Sequence, residues 1–242
     1  MSTSDDDLPA GAHPRAHGAF FGRRKGKALR PGQVGLVAAA LPDLRLDLEK
    51  PAPSDLAKLF PQPMREVFLE IGYGGGEHLV QRAGENRDVG FIGCEVFING
   101  VARMLGQIAE HHLANVRLWD DDAKPLLDWL PEASLDRAYL LYPDPWPKRR
   151  HRKRRFLNED MLPKLARVLK PGAELRFATD IDDYAAFALA RIARSADFEW
   201  TAQCQADWLT PWEGWRSTRY EVKALLEGRI TMEELQPYLR VA

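Results

Sequence analysis

Phe68-Leu69-Glu70-Ile71-Gly72-Tyr73-Gly74-Gly75-Gly76 is the stretch on which the fold turns. An apolar run ends in an acid and a glycine-rich turn, and a helical pattern resumes at Glu77. A strand that feeds such a turn lets a ligand approach bare backbone amides at a helix N-terminus, as doubly wound sheets do at the crevice beyond their strand ends. The glycines are compressed to GxGGG rather than spread as GxGxxG, which disfavours a nicotinamide-dependent oxidoreductase.

Outward from this loop the chain alternates short apolar runs with helical segments, the pattern of repeated strand-helix-strand units and a parallel sheet. Strands are predicted at 67–71, 90–95, 116–119, 135–141, 173–179, 199–201 and 220–225. Helices are predicted at 77–83, 100–110, 125–130, 158–169 and 183–195, the fourth closed by Pro171-Gly172. Thr231 and Glu234 have the spacing of a capping box that opens a short last helix. The expected class is α/β, an open, doubly wound, mostly parallel seven-stranded sheet, with no internal repeat.

The strand after the loop ends in Glu95, where a carboxylate can accept from ribose hydroxyls, a role found in dehydrogenases too. The next strand runs into Asp120-Asp121-Asp122-Ala123. This segment supplies an acceptor for the exocyclic amino group of an adenine, or the N-cap of the following helix. With Glu70, Gly72 and Gly74, these groups outline a nucleoside site. So many carboxylates suit a sulfonium cation such as S-adenosylmethionine and would repel a pyrophosphate.

The fourth strand empties into Tyr142-Pro143-Asp144-Pro145-Trp146-Pro147-Lys148. A proline-flanked acid at a strand's C-terminal end sits in a rigid turn, a favourable place for a preorganised catalytic carboxylate. Arg149, Arg150, His151, Arg152, Lys153, Arg154 and Arg155 follow at once. That density of positive charge repels itself unless anions face it, and phosphates are the obvious counterparts.

The formal net charge of −1 therefore conceals a strongly uneven distribution. Cys94 and Cys204 stand far apart without metal-binding spacing, and adjacent His111 and His112 do not converge on one ion, so no metal site is expected. No apolar run has the length of a membrane span, and Arg23-Arg24 before the short apolar stretch 34–41 makes a poor export signal. A cytoplasmic protein, monomer or homodimer, is expected. Residues 1–30 lack apolar periodicity and read as a flexible basic arm in which Arg15, Arg23, Arg24, Lys25, Lys27 and Arg30 alternate with Phe20 and Phe21. Residues 31–242 read as one domain.

With those blocks in view, and with Gly93-Cys94-Glu95-Val96, Ala178-Thr179-Asp180 and Thr218-Arg219-Tyr220-Glu221 added, the sequence resembles the bacterial tRNA (guanine-N7)-methyltransferases. The resemblance implies a Rossmann-like class I methyltransferase with S-adenosylmethionine as cofactor and tRNA as partner. It implies cofactor contacts at Glu70, Glu95, Asp122 and Asp144, and substrate contacts at Lys148, Asp180, Thr218, Arg219, Tyr220 and Glu221. RNA contacts are implied at Arg150, His151, Arg152, Lys153, Arg154 and Arg155, and the variable-loop guanosine at position 46 is the target that the resemblance implies. Where the family usually has Lys-Phe, this chain has Arg219-Tyr220, and arginine's planar fork is not equivalent to lysine. The competing readings are a methyltransferase for another RNA nucleotide and a non-catalytic RNA-binding protein.

Overall fold

The computed structural model describes residues 22, 24–204, 206–207, 210–212, 215 and 238–241. The chain forms two compact units, Met1–Trp129 and Leu130–Ala242. Among the described residues no helix is long and apolar enough to cross a membrane.

The first unit opens with α1 (Pro31–Leu44), a helix that the sequence reading did not anticipate. Proline at its first position presets the backbone, the Gln33 side chain takes the Arg30 amide, and Val37 and Leu41 bury one narrow stripe. Glycines 32 and 35 and Pro42 dilute the helical signal, so the element depends on docking against its neighbours. There follow β1 (Glu66–Ile71), α2 (Glu77–Glu85), β2 (Val89–Cys94), α3 (Ile98–Glu110), β3 (Val116–Trp119) and α4 (Ala123–Trp129). β2 pairs in parallel with β1 and with β3. β1 is buried almost throughout and β2 throughout, hence their unbroken apolar character in the sequence. α3 instead buries Ile98, Val101, Ala102, Leu105 and Ile108 on one face. The register sets Ile71 beside Cys94 and Cys94 beside Trp119, so the loops after all three strands leave from one edge.

In the second unit β4 (Leu135–Leu141) leads through a 3-10 turn (Arg149–Arg154) to α5 (Met161–Val168), β5 (Leu169–Ala178), α6 (Asp182–Ile192) and β6 (Tyr238–Val241). β5 pairs in parallel with β4 and antiparallel with β6. Leu141 lies opposite Ala178, so the segments carrying Asp144 and Asp180 also leave from a common edge. Met161, Leu162, Leu165 and Val168 bury one face of α5, and Phe177 meets Tyr184 edge to face at 5.3 Å.

Differences from the sequence reading have local causes. Pro171-Gly172 lies within β5, not just beyond a helix. Leu135 pairs with Leu169 and Arg137 with Glu174, so the chain between bulges out, with Gly172 at φ 78°. The expected strand 199–201 is reduced to one bridge residue, Trp200. Six strands lie among the described residues, and β6 was not anticipated. The segments 220–225 and 231–234 lie outside the described residues.

Candidate active site

In the first unit, Glu95 is buried and organises the glycine loop. Its carboxylate accepts the Gly74 amide at 2.7 Å and the Phe97 amide at 2.9 Å. α3 approaches so closely that a Cβ on Gly100 would run into the Gly74 carbonyl oxygen. Gly72 and Gly74 hold φ of 73° and 56°, and nothing lies within 4 Å of the side-chain position at Gly72. Glu70 is 3% exposed and bonds His78 Nδ1 on α2 at 2.7 Å. The structure sorts the three aspartates after β3. Asp120 and Asp121 are buried and ion-paired, with Arg45 at 2.7 Å and Arg24 at 2.8 Å. Asp122 is half-buried, caps α4 by accepting the Lys124 amide at 2.8 Å, and has no cationic partner among the described residues.

The field of these acids is visible in their neighbours. Burial pushes the Cys94 thiol well up, and Glu95 and the three aspartates push it further, so it stays protonated. Tyr73 is raised in the same way, by burial first and then by Glu95 and Asp120. Its hydroxyl is buried without a hydrogen-bond partner among the described residues. An orphaned hydroxyl, an open face at Gly72 and an edge rich in carboxylates fit a polar, cationic nucleoside ligand such as S-adenosylmethionine.

In the second unit, Asp144 is exposed in its turn, between Tyr142 and Trp146, which hold φ of 49° and 43°. Left-handed backbone at two bulky residues is strained, and such strain concentrates at functional turns. Trp146 stacks under Arg154, 5.0 Å to the ring centroid, and meets His151 edge on at 5.9 Å. Asp180 is half-buried just before α6. A cavity of about 460 Å³ has four cations, Arg149, Arg152, Lys153 and Arg191, and two acids, Glu159 and Asp160, in its lining.

A family model described as "Putative methyltransferase" matches residues 64–233. Curated tRNA (guanine-N(7)-)-methyltransferases of Rhizobium meliloti and Agrobacterium fabrum are 57% and 54% identical to this chain, each over 89% of it and 93% of their own length. That of Bartonella quintana is 55% identical over 87% of this chain and 91% of its own. The chain belongs to the tRNA (guanine-N(7)-)-methyltransferase family.

In this family member the expected residues separate into three groups. Glu70, Gly72, Gly74, Glu95 and Asp122 gather at the strand-end edge of the first unit, and Asp144 and Asp180 at that of the second. Lys148, Arg149, Arg150 and Lys153 are exposed, and Arg152 and Arg154 are partly so. Arg155 is the exception. Its side chain is 0% exposed and bonded inward, which leaves no surface for a phosphate. Thr218, Arg219, Tyr220 and Glu221 lie outside the described residues. His78, Arg45 and Asp183, which bond Glu70, Asp120 and the pair Arg152 and Arg155 from other elements, have no signal in the sequence, since no spacing rule links a histidine on a helix to an acid eight residues back on a strand. Arg24 is expected in the flexible basic arm. Arg24 instead bonds Asp121, and its carbonyl takes the Ile98 amide.

Proposed function

We propose that this methyltransferase transfers the methyl group of S-adenosylmethionine to N7 of the variable-loop guanosine, position 46, of cytoplasmic tRNA. The reaction class comes with the family. The residue assignment rests on one observation, the strand registers that bring the acids of each unit to a common edge.

When bound, S-adenosylmethionine supplies a methyl group on an electrophilic sulfonium centre. Guanine N7 carries a lone pair and no proton, so no residue need act as a base toward it. What remains for the chain is to bind, orient and exclude water. Glu95, fixed at the strand end by the Gly74 and Phe97 amides, accepts from the ribose hydroxyls. Asp122 accepts from the adenine amino group, and Glu70 with the Gly72–Gly74 backbone encloses the remainder. Asp144 offsets the positive charge that builds on the purine as N7 is alkylated, and Asp180 accepts from the guanine N1–H and amino edge. Lys148, Arg150, His151, Arg152, Lys153 and Arg154 hold the RNA backbone, with Thr218, Arg219, Tyr220 and Glu221 assigned to substrate by the family motif. Residues 31–242 supply this activity as one domain, and the preceding segment contributes cations to the RNA.

Labelled cofactor and unmodified tRNA, followed by nucleoside analysis, test the proposal. The expected product is 7-methylguanosine at position 46, and Asp144→Asn is expected to lower kcat by about 100-fold with an unchanged circular dichroism spectrum. Label in another nucleoside overturns the substrate, and near-normal turnover by the variant overturns the role of Asp144.

A further inference from the structure

Arg155 closes a run of cations, yet it alone among them is wholly buried, and its interactions are directional. Nε donates to the Pro145 carbonyl at 2.8 Å, Nη1 to the Asp183 carbonyl at 2.9 Å, and Nη2 to the Asp183 carboxylate at 2.5 Å. Tyr184 and Phe187 pack on the guanidinium, each ring centroid 4.9 Å away. The Tyr184 hydroxyl accepts the Phe156 amide at 2.9 Å, and burial, with a contribution from the Asp144 charge, keeps that phenol from ionising. Asp183 uses its other oxygen for Arg152, 2.6 Å away, a partly exposed cation that also lines the basic cavity.

Burying a guanidinium costs several kcal/mol unless every donor direction is met, and apolar side chains would fill the same space without that cost. What the charged arrangement adds is a fixed spatial relation among three segments. They are the turn with Asp144 next to Pro145, the basic 3-10 turn, and the start of α6 just after Asp180.

We infer that Arg155 and Asp183 are positioning residues for methyl transfer, locking the Asp144 turn to the Asp180 end of α6 and, through Arg152, to the phosphate-facing cavity. The inference rests on the proposed methylation of tRNA. Arg155 itself touches neither substrate nor cofactor. A phosphate drawn into the cavity by Arg149, Arg152 and Lys153 competes for Arg152 with the Asp183 carboxylate that Arg155 clamps, so seating of the backbone and placement of the catalytic turn are linked through one ion pair.

Arg155→Lys keeps the charge and discards the fork, and Asp183→Asn keeps the shape and discards the charge. Both are compared with wild type for kcat and KM on unmodified tRNA, for tRNA affinity at two salt concentrations, for S-adenosylmethionine affinity and for the unfolding midpoint. Misplacing a reacting group by about 1 Å costs up to about 100-fold in rate. The expected result is therefore a fall in kcat of about tenfold or more in folded protein, with cofactor affinity little changed and no loss of tRNA affinity or salt slope. Unchanged kcat in folded variants overturns the inference. So does a parallel loss of tRNA affinity and salt slope in Arg155→Lys, which would make Arg155 a phosphate contact after all. If Arg155→Lys does not fold, Asp183→Asn decides by the same criteria. Wild-type protein assayed alongside separates the two levels, since its failure to make 7-methylguanosine would refute the methylation reading and not the clamp.

Discussion

His151 shows how a single residue reports on its surroundings. Loss of water and then the charges of Arg154, Arg150 and Lys148 hold its imidazole below the ordinary value. A phosphate brought to that face opposes those cations and raises it, so the RNA complex binds more protons than the free protein. By linkage tRNA affinity strengthens as pH falls from about 8 to about 6 through the imidazole range. Anisotropy titrations at fixed salt check this, and His151→Gln should flatten the profile. A pH dependence untouched by the substitution would place the titrating group elsewhere. Glu70 offers a second test. Its buried carboxylate is bonded to His78, and His78→Leu leaves that acid short of a partner, at a cost of about 1–3 kcal/mol in chemical unfolding. The acids themselves are legible in the sequence because each lies at or within a few residues of the end of an apolar strand. His78 was not, because a histidine on a helix is unremarkable until the fold sets it against a buried carboxylate.

At the scale of elements, the predicted limits 116–119 and 135–141 coincide with β3 and β4, and the helices differ from expectation mostly at their ends. Short strands bounded by turns advertise both termini, whereas helix ends depend on caps and on what the last turn packs against. Asn115 illustrates a support that no pattern announces. From just before β3 its amide donates to the carbonyls of Ala83, Asn86 and Val89 at 3.1, 3.0 and 2.9 Å, fastening the end of α2 to the start of β2. Asn115→Ala should destabilise the protein by about 1–3 kcal/mol in equilibrium unfolding. Gly100→Ala acts on function instead. Its methyl meets the Gly74 carbonyl and displaces the glycine loop, so cofactor affinity measured by calorimetry should fall by about tenfold or more while helix content is unchanged. Undiminished affinity would show that the loop has room to yield.

For the whole molecule, a net charge of −1 coexists with an exposed cationic surface, because Asp120, Asp121 and Asp183 are committed to intramolecular pairs while Arg149 and Lys153 face solvent with no ion-pair partner among the described residues. Replacing both by Gln should lower tRNA affinity and reduce the slope of log affinity against log salt by about 1.5–2, one phosphate contact for each cation removed. An unchanged slope would remove both from the RNA interface. Taken alone, the order of apolar runs, the glycine loop and the proline-framed Asp144 already dictate an α/β chain with acids at its strand ends. Periodicity and turn chemistry act over a few residues and survive any packing. The fate of each charge is another matter. Arg155 is enclosed while Arg149, six residues earlier, meets water, and Asp121 is paired while Asp122 is not. Those outcomes depend on Asp183 and Arg24, 28 and 97 residues away along the chain. Only the folded structure brings such groups within hydrogen-bond range, and a buried charge is stable only where its partner arrives with it.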